Sequence, residues 1–310
     1  MMLYVEPMAG PAPIVQVIRE ARHTVDLNVY YLADRQILDA LRSATHRGVR
    51  VRVILAGKPY GMRPWKIRKE FRTVRGTGAA VQPAPARFES AGQHYAFDHA
   101  KYVCNGHKCE IGTANFSWSA FHRNREYLCT TRNPRVVWAA RATFSADWQH
   151  VSTPEAAHRI LVLSPGTSAR QLLQVLEQPG TVDVESEELG PYRPILEAMA
   201  AKGQHLRMIL PSSLRGQDRH DAAFLRRDGV RVRFLRSPYM HAKMVTGSRL
   251  GFVGSENFTD TSLNKNREMG LLLEGRDLYR LRAQFRSDWE RAKNTGGKDR
   301  KSRLVRFLGR

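Results

Sequence analysis

Residues 99–126 read HAKYVCNGHKCEIGTANFSWSAFHRNRE, and residues 241–268 read HAKMVTGSRLGFVGSENFTDTSLNKNRE. At a constant offset of 142 and without gaps, ten of the 28 positions are identical: His, Ala, Lys, Val, Gly, Asn, Phe, Asn, Arg and Glu. Average composition would give roughly one or two by chance. The likeness continues outward. Downstream, Arg141-Ala-Thr-Phe-Ser-Ala-Asp-Trp148 is echoed by Arg282-Ala-Gln-Phe-Arg-Ser-Asp-Trp289. Upstream, TVDLNVYYLADRQILDALRSATHRGVRVRVIL (24–55) resembles TVDVESEELGPYRPILEAMAAKGQHLRMIL (181–210) with small gaps. Whole domains are duplicated, with halves at 1–152 and 153–310, the second carrying a basic tail.

Each half alternates strand and helix signals. The first shows a strand near 2–6, then an amphipathic helix near 12–22 with Ile14, Val15, Val17, Ile18 and Ala21 on one face. Strand 25–31, helix 35–46 and strand 49–55 follow, the last two joined at Gly48, which can end a helix. Strands near 100–104, 108–111 and 126–131 and a helix near 134–149 complete it. The second half repeats the order: strands at 159–163, 182–187, 205–210 and 230–235 alternate with helices at 168–177, 191–202 and 218–227. Motif strands near 242–246, 250–254 and 268–273 then lead into helix 276–293. This pattern predicts an α/β fold of sheets covered by helices.

Composition narrows the partners. The formal net charge is +21, far from the near-neutral balance of most soluble domains. Such a field draws nucleic acid, an anionic membrane surface or another phosphoester substrate, or it is a generally basic surface with no single partner. No obligate protein partner is evident. No run approaches the ~18 apolar residues of a membrane span, and the N-terminus lacks a basic head before an apolar core. The expected location is therefore cytoplasmic. Cys104, Cys109 and Cys129 fit a reducing compartment as small buried apolar residues. A disulfide across the turn Asn105-Gly106-His107-Lys108, or a metal site with His107, is the less favoured alternative.

Within each motif His and Lys lie two apart at the start of a strand, so both side chains point to one face. Asn follows 16 and Glu 27 residues after each His. One His-x-Lys alone reads as a solvated strand edge; two copies with matched spacing read as one composite site. A neutral imidazole can attack a phosphodiester to form a phosphohistidine while a protonated one donates to the leaving oxygen. One half supplies one His, and duplication supplies the second. Lys101, Lys243, Asn115 and Asn257 can hold the nonbridging oxygens, so the chemistry calls for no metal or cofactor. Glu126 and Glu268 can orient the imidazole of the same or the opposite motif. Their bland alternative is a salt bridge to the adjacent Arg125 or Arg267.

These residues resemble the phospholipase D superfamily, whose motif is His-x-Lys, a downstream Asp, then Gly-Ser-x-Asn. Gly112-Thr113-Ala114-Asn115 and Gly254-Ser255-Glu256-Asn257 match the last part. The resemblance covers both halves. It implies two α-β-α sandwich domains related by a pseudo-twofold, an active site at their interface, His99 as nucleophile, His241 as general acid and base, and Thr113 and Ser255 beside the substrate. The family Asp is absent, its place falling near Asn105 or Gly106 and near Gly247 or Ser248. Since that Asp supports the fold around the motif, its loss bears on the subfamily more than on the chemistry.

Two stretches address the substrate. KPYGMRPWKIRKEFRTVRG (58–76) carries seven Lys or Arg against one Glu, with Tyr60, Trp65 and Phe71. Lys58, Arg63, Trp65 and Lys66 there suit a single strand, phosphates on charges and bases on rings. Equally, the stretch reads as an amphipathic helix with Trp65 and Phe71 in the core. The tail KNTGGKDRKSRLVRFLGR (293–310), with Leu304, Val305, Phe307 and Leu308, could bind nucleic acid or an anionic membrane, or be a solvated end. Segment 83–98 has no equal before His241 and suggests a loop over one side of the site, with His94, Tyr95 and Phe97 near the leaving group, or more simply a packed surface loop. The leading expectation is a metal-independent phosphodiesterase acting on DNA or RNA. The alternatives are a phospholipase D or phosphatidyltransferase acting on phospholipid headgroups, and an inactive protein that only binds nucleic acid or membrane.

Overall fold

The computed structural model describes residues 1–294. The tail 295–310, including its apolar and arginine residues, lies outside the described residues. The first half runs β1 (Met2–Val5), α1 (Ala12–Arg19), β2 (Thr24–Val29), α2 (Arg35–His46), β3 (Arg50–Leu55), α3 (Pro64–Arg75), β4 (Ala80–Pro83), β5 (Glu89–Ala91), β6 (His94–Phe97), β7 (Lys101–Cys104), β8 (Cys109–Gly112), α4 (Trp118–His122), β9 (Asn124–Arg125), β10 (Tyr127–Thr131) and α5 (Pro134–Trp148). The second runs α6 (Glu155–His158), β11 (Val162–Ser164), α7 (Ser168–Leu176), β12 (Val182–Ser186), α8 (Arg193–Lys202), β13 (Leu206–Pro211), α9 (Gly216–Arg227), β14 (Arg231–Leu235), β15 (Tyr239–Met240), β16 (Lys243–Thr246), β17 (Gly251–Gly254), α10 (Asp260–Asn264), β18 (Glu268–Leu273) and α11 (Gly275–Arg291).

Local chemistry sets these elements. Helix α2 buries Ile37, Leu38, Ala40, Leu41 and Ala44 on one stripe, and its first turn is capped by Asp34, which accepts from the Ile37 amide at 3.1 Å. It ends at Gly48, whose φ of +79° lets the chain reverse into β3 without a Cβ clash. Strand β2 is buried at all six positions, because α1 and α2 cover the outer face of the sheet while its inner face turns toward α5 and the second half.

Two seven-stranded sheets result, ordered β1-β10-β8-β7-β2-β3-β4 and β11-β18-β17-β16-β12-β13-β14. Position by position they are the same sheet. In each, the three strands β2, β3, β4 or β12, β13, β14 are parallel and the remainder antiparallel. The inner faces meet in one apolar cluster that takes Ile54, Tyr102, Tyr127 and Phe144 from the first half and Ile209, Met244, Met269 and Phe285 from the second. Each half also has its own outer core beneath its remaining helices. Helices α5 and α11, the echoed Arg…Trp segments, contribute to the shared cluster. Arg52 lies over Phe144 and Trp148 and pairs with Asp26, while Arg207 lies over Phe285 and Trp289 and pairs with Asp183.

Crossed contacts staple the halves. Arg125 of the first half donates twice to Asp288 of the second, at 2.7 and 2.8 Å. Arg267 of the second donates to Asp147 of the first at 2.8 Å. These arginines precede the motif glutamates and are almost fully buried, so the alternative of a local Glu–Arg bridge is replaced by a pair of inter-half bridges.

Three readings of the sequence are corrected. Cys104 and Cys109 form a disulfide, since they face each other directly across the β7–β8 pairing; only Cys129 is a free buried thiol among the three. Trp65 is not in the core: α3 buries Glu70, Phe71 and Val74, which leaves Trp65 50% exposed on the opposite stripe. Segment 83–98 is largely a β5–β6 hairpin, and His94 is turned to the carbonyl of Arg87 at 2.9 Å. Among the described residues no helix is long and apolar enough to cross a membrane.

The turn that follows each motif strand is held by a side-chain carbonyl, from a different residue in each half. In the first half Asn105 Oδ1 accepts from the amides of His107 and Lys108 at 2.9 and 2.8 Å. At the matching turn of the second half Gln178 Oε1, from beyond α7, accepts from Arg249 and Leu250 at 2.7 and 2.9 Å. Gly247 stands where Asn105 does because a Cβ there would meet the Gln178 amide nitrogen at 2.5 Å.

Candidate active site

Each motif histidine is carried into the other half by its backbone. Asp98 bridges to Arg267, the His99 amide donates to the Arg267 carbonyl at 2.8 Å, and the Phe97 amide donates to Asn266. On the other side β15 pairs with β9, placing Met240 against Arg125, and the His241 amide donates to the Arg125 carbonyl at 3.3 Å. Each histidine therefore sits beside the residue that follows the opposite arginine, a glutamate.

The side chains complete that crossing. His99 Nδ1 is 2.9 Å from Glu268 Oε2, and His241 Nδ1 is 2.7 Å from Glu126 Oε1. Both carboxylates are fully buried and held by further donors. Thr113 Oγ1 and Asn124 Nδ2 donate to Glu126 at 2.6 and 3.1 Å; Ser262 Oγ and Asn266 Nδ2 donate to Glu268 at 2.7 and 3.1 Å. A carboxylate on Nδ1 fixes the ring and leaves Nε2 as the working nitrogen.

Lys101 and Lys243 are fully buried, each curled so that Nζ donates to its own motif histidine's carbonyl, at 2.5 and 2.6 Å. Asn115 and Asn257 each keep a buried Oδ1 without a partner, and Asn257 Nδ2 donates to Glu188 at 3.2 Å. Burial lowers the His99 pKa against the pull of Glu268, which favours the neutral ring. Burial also lowers Lys101 to about 7, where it feels Glu268, Lys243, Glu126 and Glu187 across the interface. Glu268 is held below its ordinary value: burial opposes this, but the charges of His99 and Lys101 outweigh it.

The two sides of the site are not alike. Tyr30, at the end of β2, stands edge-on to His99 at 5.0 Å between centroids, with Lys101 Nζ 5.5 Å from its ring. At the matching end of β12 the chain has Glu187. Its Oε2 is 2.7 Å from Lys243 Nζ and 3.2 Å from His241 Nε2. Sequence reasoning missed both. The aligned stretches TVDLNVYYL and TVDVESEEL differ here, so matching the repeats passes over them, although the C-terminal end of a parallel strand is where such folds place ligands.

The remaining sequence candidates are scattered. Thr113 and Ser255 are buried, and their hydroxyls are spent inside their own halves, on Glu126 and the Tyr127 amide and on the Met269 backbone. Lys58 is exposed and donates to the Ser90 carbonyl; Arg63, Trp65 and Lys66 lie at the surface of α3 and its start, with Lys66 Nζ 5.4 Å from the Trp65 ring. None of these four hydrogen-bonds to a motif residue. The 56–63 loop does reach the site through Tyr60, whose amide donates to Tyr30 Oη at 2.7 Å and whose ring meets those of Tyr95 and Phe97.

The family model described as "Cardiolipin synthase, PLD-like domain" matches residues 14–148 and 187–289. No curated protein matches the chain. Among solved structures, a polyphosphate kinase from Porphyromonas gingivalis gives a TM-score of 0.68 at 14% identity, over 93% of this chain and 47% of that one. The chain thus spans about half of that kinase. A phosphatidylserine synthase from Haemophilus influenzae Rd KW20 gives 0.65 at 11% identity, over 93% and 85%. Nuc from Salmonella typhimurium, a phospholipase D family member, gives 0.41 at 18% identity, over 48% and 93%. At these identities the first two likenesses are likenesses of fold.

Proposed function

We propose, since this chain belongs to the phospholipase D superfamily, that it is a metal-independent phosphodiesterase working through a covalent phosphohistidine, with nucleic acid as its favoured substrate. The observation that carries the chemistry is the crossed pairing of His99 with Glu268 and His241 with Glu126.

In the first step His99 Nε2 attacks phosphorus, an N–P bond forms, and the P–O bond to the leaving group breaks as His241 gives that oxygen its proton. In the second, His241 takes a proton from water, whose oxygen attacks phosphorus and frees His99. Lys101, Lys243 and the asparagines hold the nonbridging oxygens, where the transition state gathers charge. Glu268 and Glu126 keep each ring's Nε2 presented to the substrate.

Nucleic acid is favoured by the net charge of +21 and by exposed aromatic rings on the His99 side: Tyr60 and Tyr95 are 58% and 48% exposed, with basic Lys58, Arg63 and Lys66 and the half-exposed Trp65 in the same stretch of chain. The phospholipid reading is supported by the description of the matching family and by the phosphatidylserine synthase fold. Incubation in EDTA with labelled single-stranded DNA, or with phosphatidylcholine and phosphatidylglycerol vesicles, separates them: cleavage of DNA is expected, and headgroup release without DNA cleavage would reverse the order. His99→Ala or His241→Ala should abolish turnover and spare salt-sensitive binding. Full turnover in both variants overturns the mechanism. A phosphoenzyme stable to alkali and labile to acid is the expected intermediate.

A further inference from the structure

Glu187 holds the two donors that the proposed reaction would turn toward a substrate phosphate. For His241 to hand a proton to a leaving oxygen, and for Lys243 to hold a nonbridging one, both His241 Nε2 and Lys243 Nζ must face the substrate. Both face the same carboxylate oxygen instead, Glu187 Oε2, at 3.2 and 2.7 Å. A phosphate oxygen and a carboxylate oxygen are interchangeable acceptors for such donors, with the same charge sign and hydrogen-bond length. They cannot both be there.

The reason for an internal anion is electrostatic. Without substrate, two buried lysines act on one another across the interface: burial lowers Lys101, Lys243 lowers it further, and Glu268, Glu126 and Glu187 oppose this. A buried cation without a partner is strongly unfavourable. The half that supplies His99 answers with the Tyr30 ring over Lys101; the half that supplies His241 answers with a full negative charge. The Glu187 side chain keeps 18% of its surface exposed, whereas Lys243 has none, so the carboxylate and not the lysine has a way out toward solvent.

We propose that Glu187 is a built-in stand-in for the substrate phosphate, closing the His241–Lys243 side of the resting site and leaving Lys243 when an oxyanion enters. The inference rests on the reading of this site as one for phosphodiesters. It makes phosphate-like ligands weaker binders than two lysines and two histidines would otherwise allow, and it reserves the site for ligands able to displace a carboxylate.

The test is binding of tungstate, a tetrahedral oxyanion, by calorimetry to the full chain, which needs no turnover. Glu187→Gln keeps the shape and removes the charge, and should bind tungstate roughly tenfold or more tightly than wild type. Glu187→Asp keeps the charge and should stay within about threefold of wild type by the same reasoning. Unchanged or weaker binding in E187Q, or equal tightening in both variants, overturns the proposal while leaving the phosphodiester reading intact. A site where neither wild type nor E187Q takes tungstate overturns both. Should E187Q not fold, a crystal structure of wild type with tungstate decides: the anion on Lys243 with Glu187 withdrawn supports the proposal, and an anion elsewhere with Glu187 in place overturns it.

Discussion

At the scale of residues, the two histidines share one design on Nδ1 and differ in their other neighbour, the Tyr30 ring beside His99 and the Glu187 carboxylate on His241 Nε2. Glu268 and Glu126 each fix a ring, so Glu268→Gln or Glu126→Gln should lower kcat by about 100-fold or more with a smaller change in KM, read from steady-state kinetics. The pH dependence has a definite sign. Burial lowers the His99 pKa, so its neutral form, which the proposed attack on phosphorus requires, persists below the ordinary histidine range. Burial also brings Lys101 to about 7, so the charge it offers to phosphate is lost as pH rises through that value. The kcat/KM profile should fall on the alkaline side from about pH 7. Lys101→Arg keeps its charge there and should move that limb upward even if the rate drops; a limb that stays put assigns it to another group. All eight motif residues were legible in the sequence because they recur at identical spacing. Tyr30 and Glu187 were not, because the halves differ at that position.

At the scale of elements, the long strands and helices followed from the sequence pattern with ends displaced by up to three residues, as where α1 stops at Arg19 and β11 begins at Val162, but the pieces that build the site have no periodicity to read. Strands β9 and β15 are two residues each, too short for an alternation, and they exist because two halves dock. Helix α3 shows another limit. Its charges and aromatics fitted a core helix or a binding surface equally, and the structure sends one stripe inward and leaves Trp65 with the charges on the exposed one. Phe71 and Val74 go inward with Glu70, which accepts from the Leu32 amide at 2.7 Å just beyond Tyr30 and Tyr31. Burial pushes the Glu70 carboxyl up to about 8, so the folded protein binds its proton and the unfolded chain does not between about pH 4.5 and 8. Stability contributed this way is present below pH 4.5 and is lost as pH rises toward 8, by at most about 1.4 kcal/mol per pH unit. Glu70→Gln should therefore flatten the decline in urea-unfolding stability between pH 5 and 8.5 and exceed wild type at the upper end.

At the scale of the molecule, the halves form one unit because their inner sheet faces share a core and their arginines cross. Arg125→Met leaves Asp288 buried without its bidentate partner and should cost about 3–5 kcal/mol in urea unfolding, while Arg125→Met with Asp288→Leu should recover much of that loss. A loss no larger than that of a surface substitution would show that the bridge contributes little. The sequence by itself determined the duplication, the α/β order within each half and the identity of the His, Lys, Asn and Glu groups, because repetition at a fixed offset is information along one dimension. Only the tertiary structure decided that each glutamate serves the other half's histidine, that Arg125 and Arg267 reach across to aspartates, that Cys104 and Cys109 join, and that Glu187 rests on Lys243. His99 and Glu268 are 169 residues apart, and nothing in the neighbourhood of either specifies the other. Their meeting follows from burying the inner faces of two sheets against each other, an energy that belongs to the docked pair and to neither half alone.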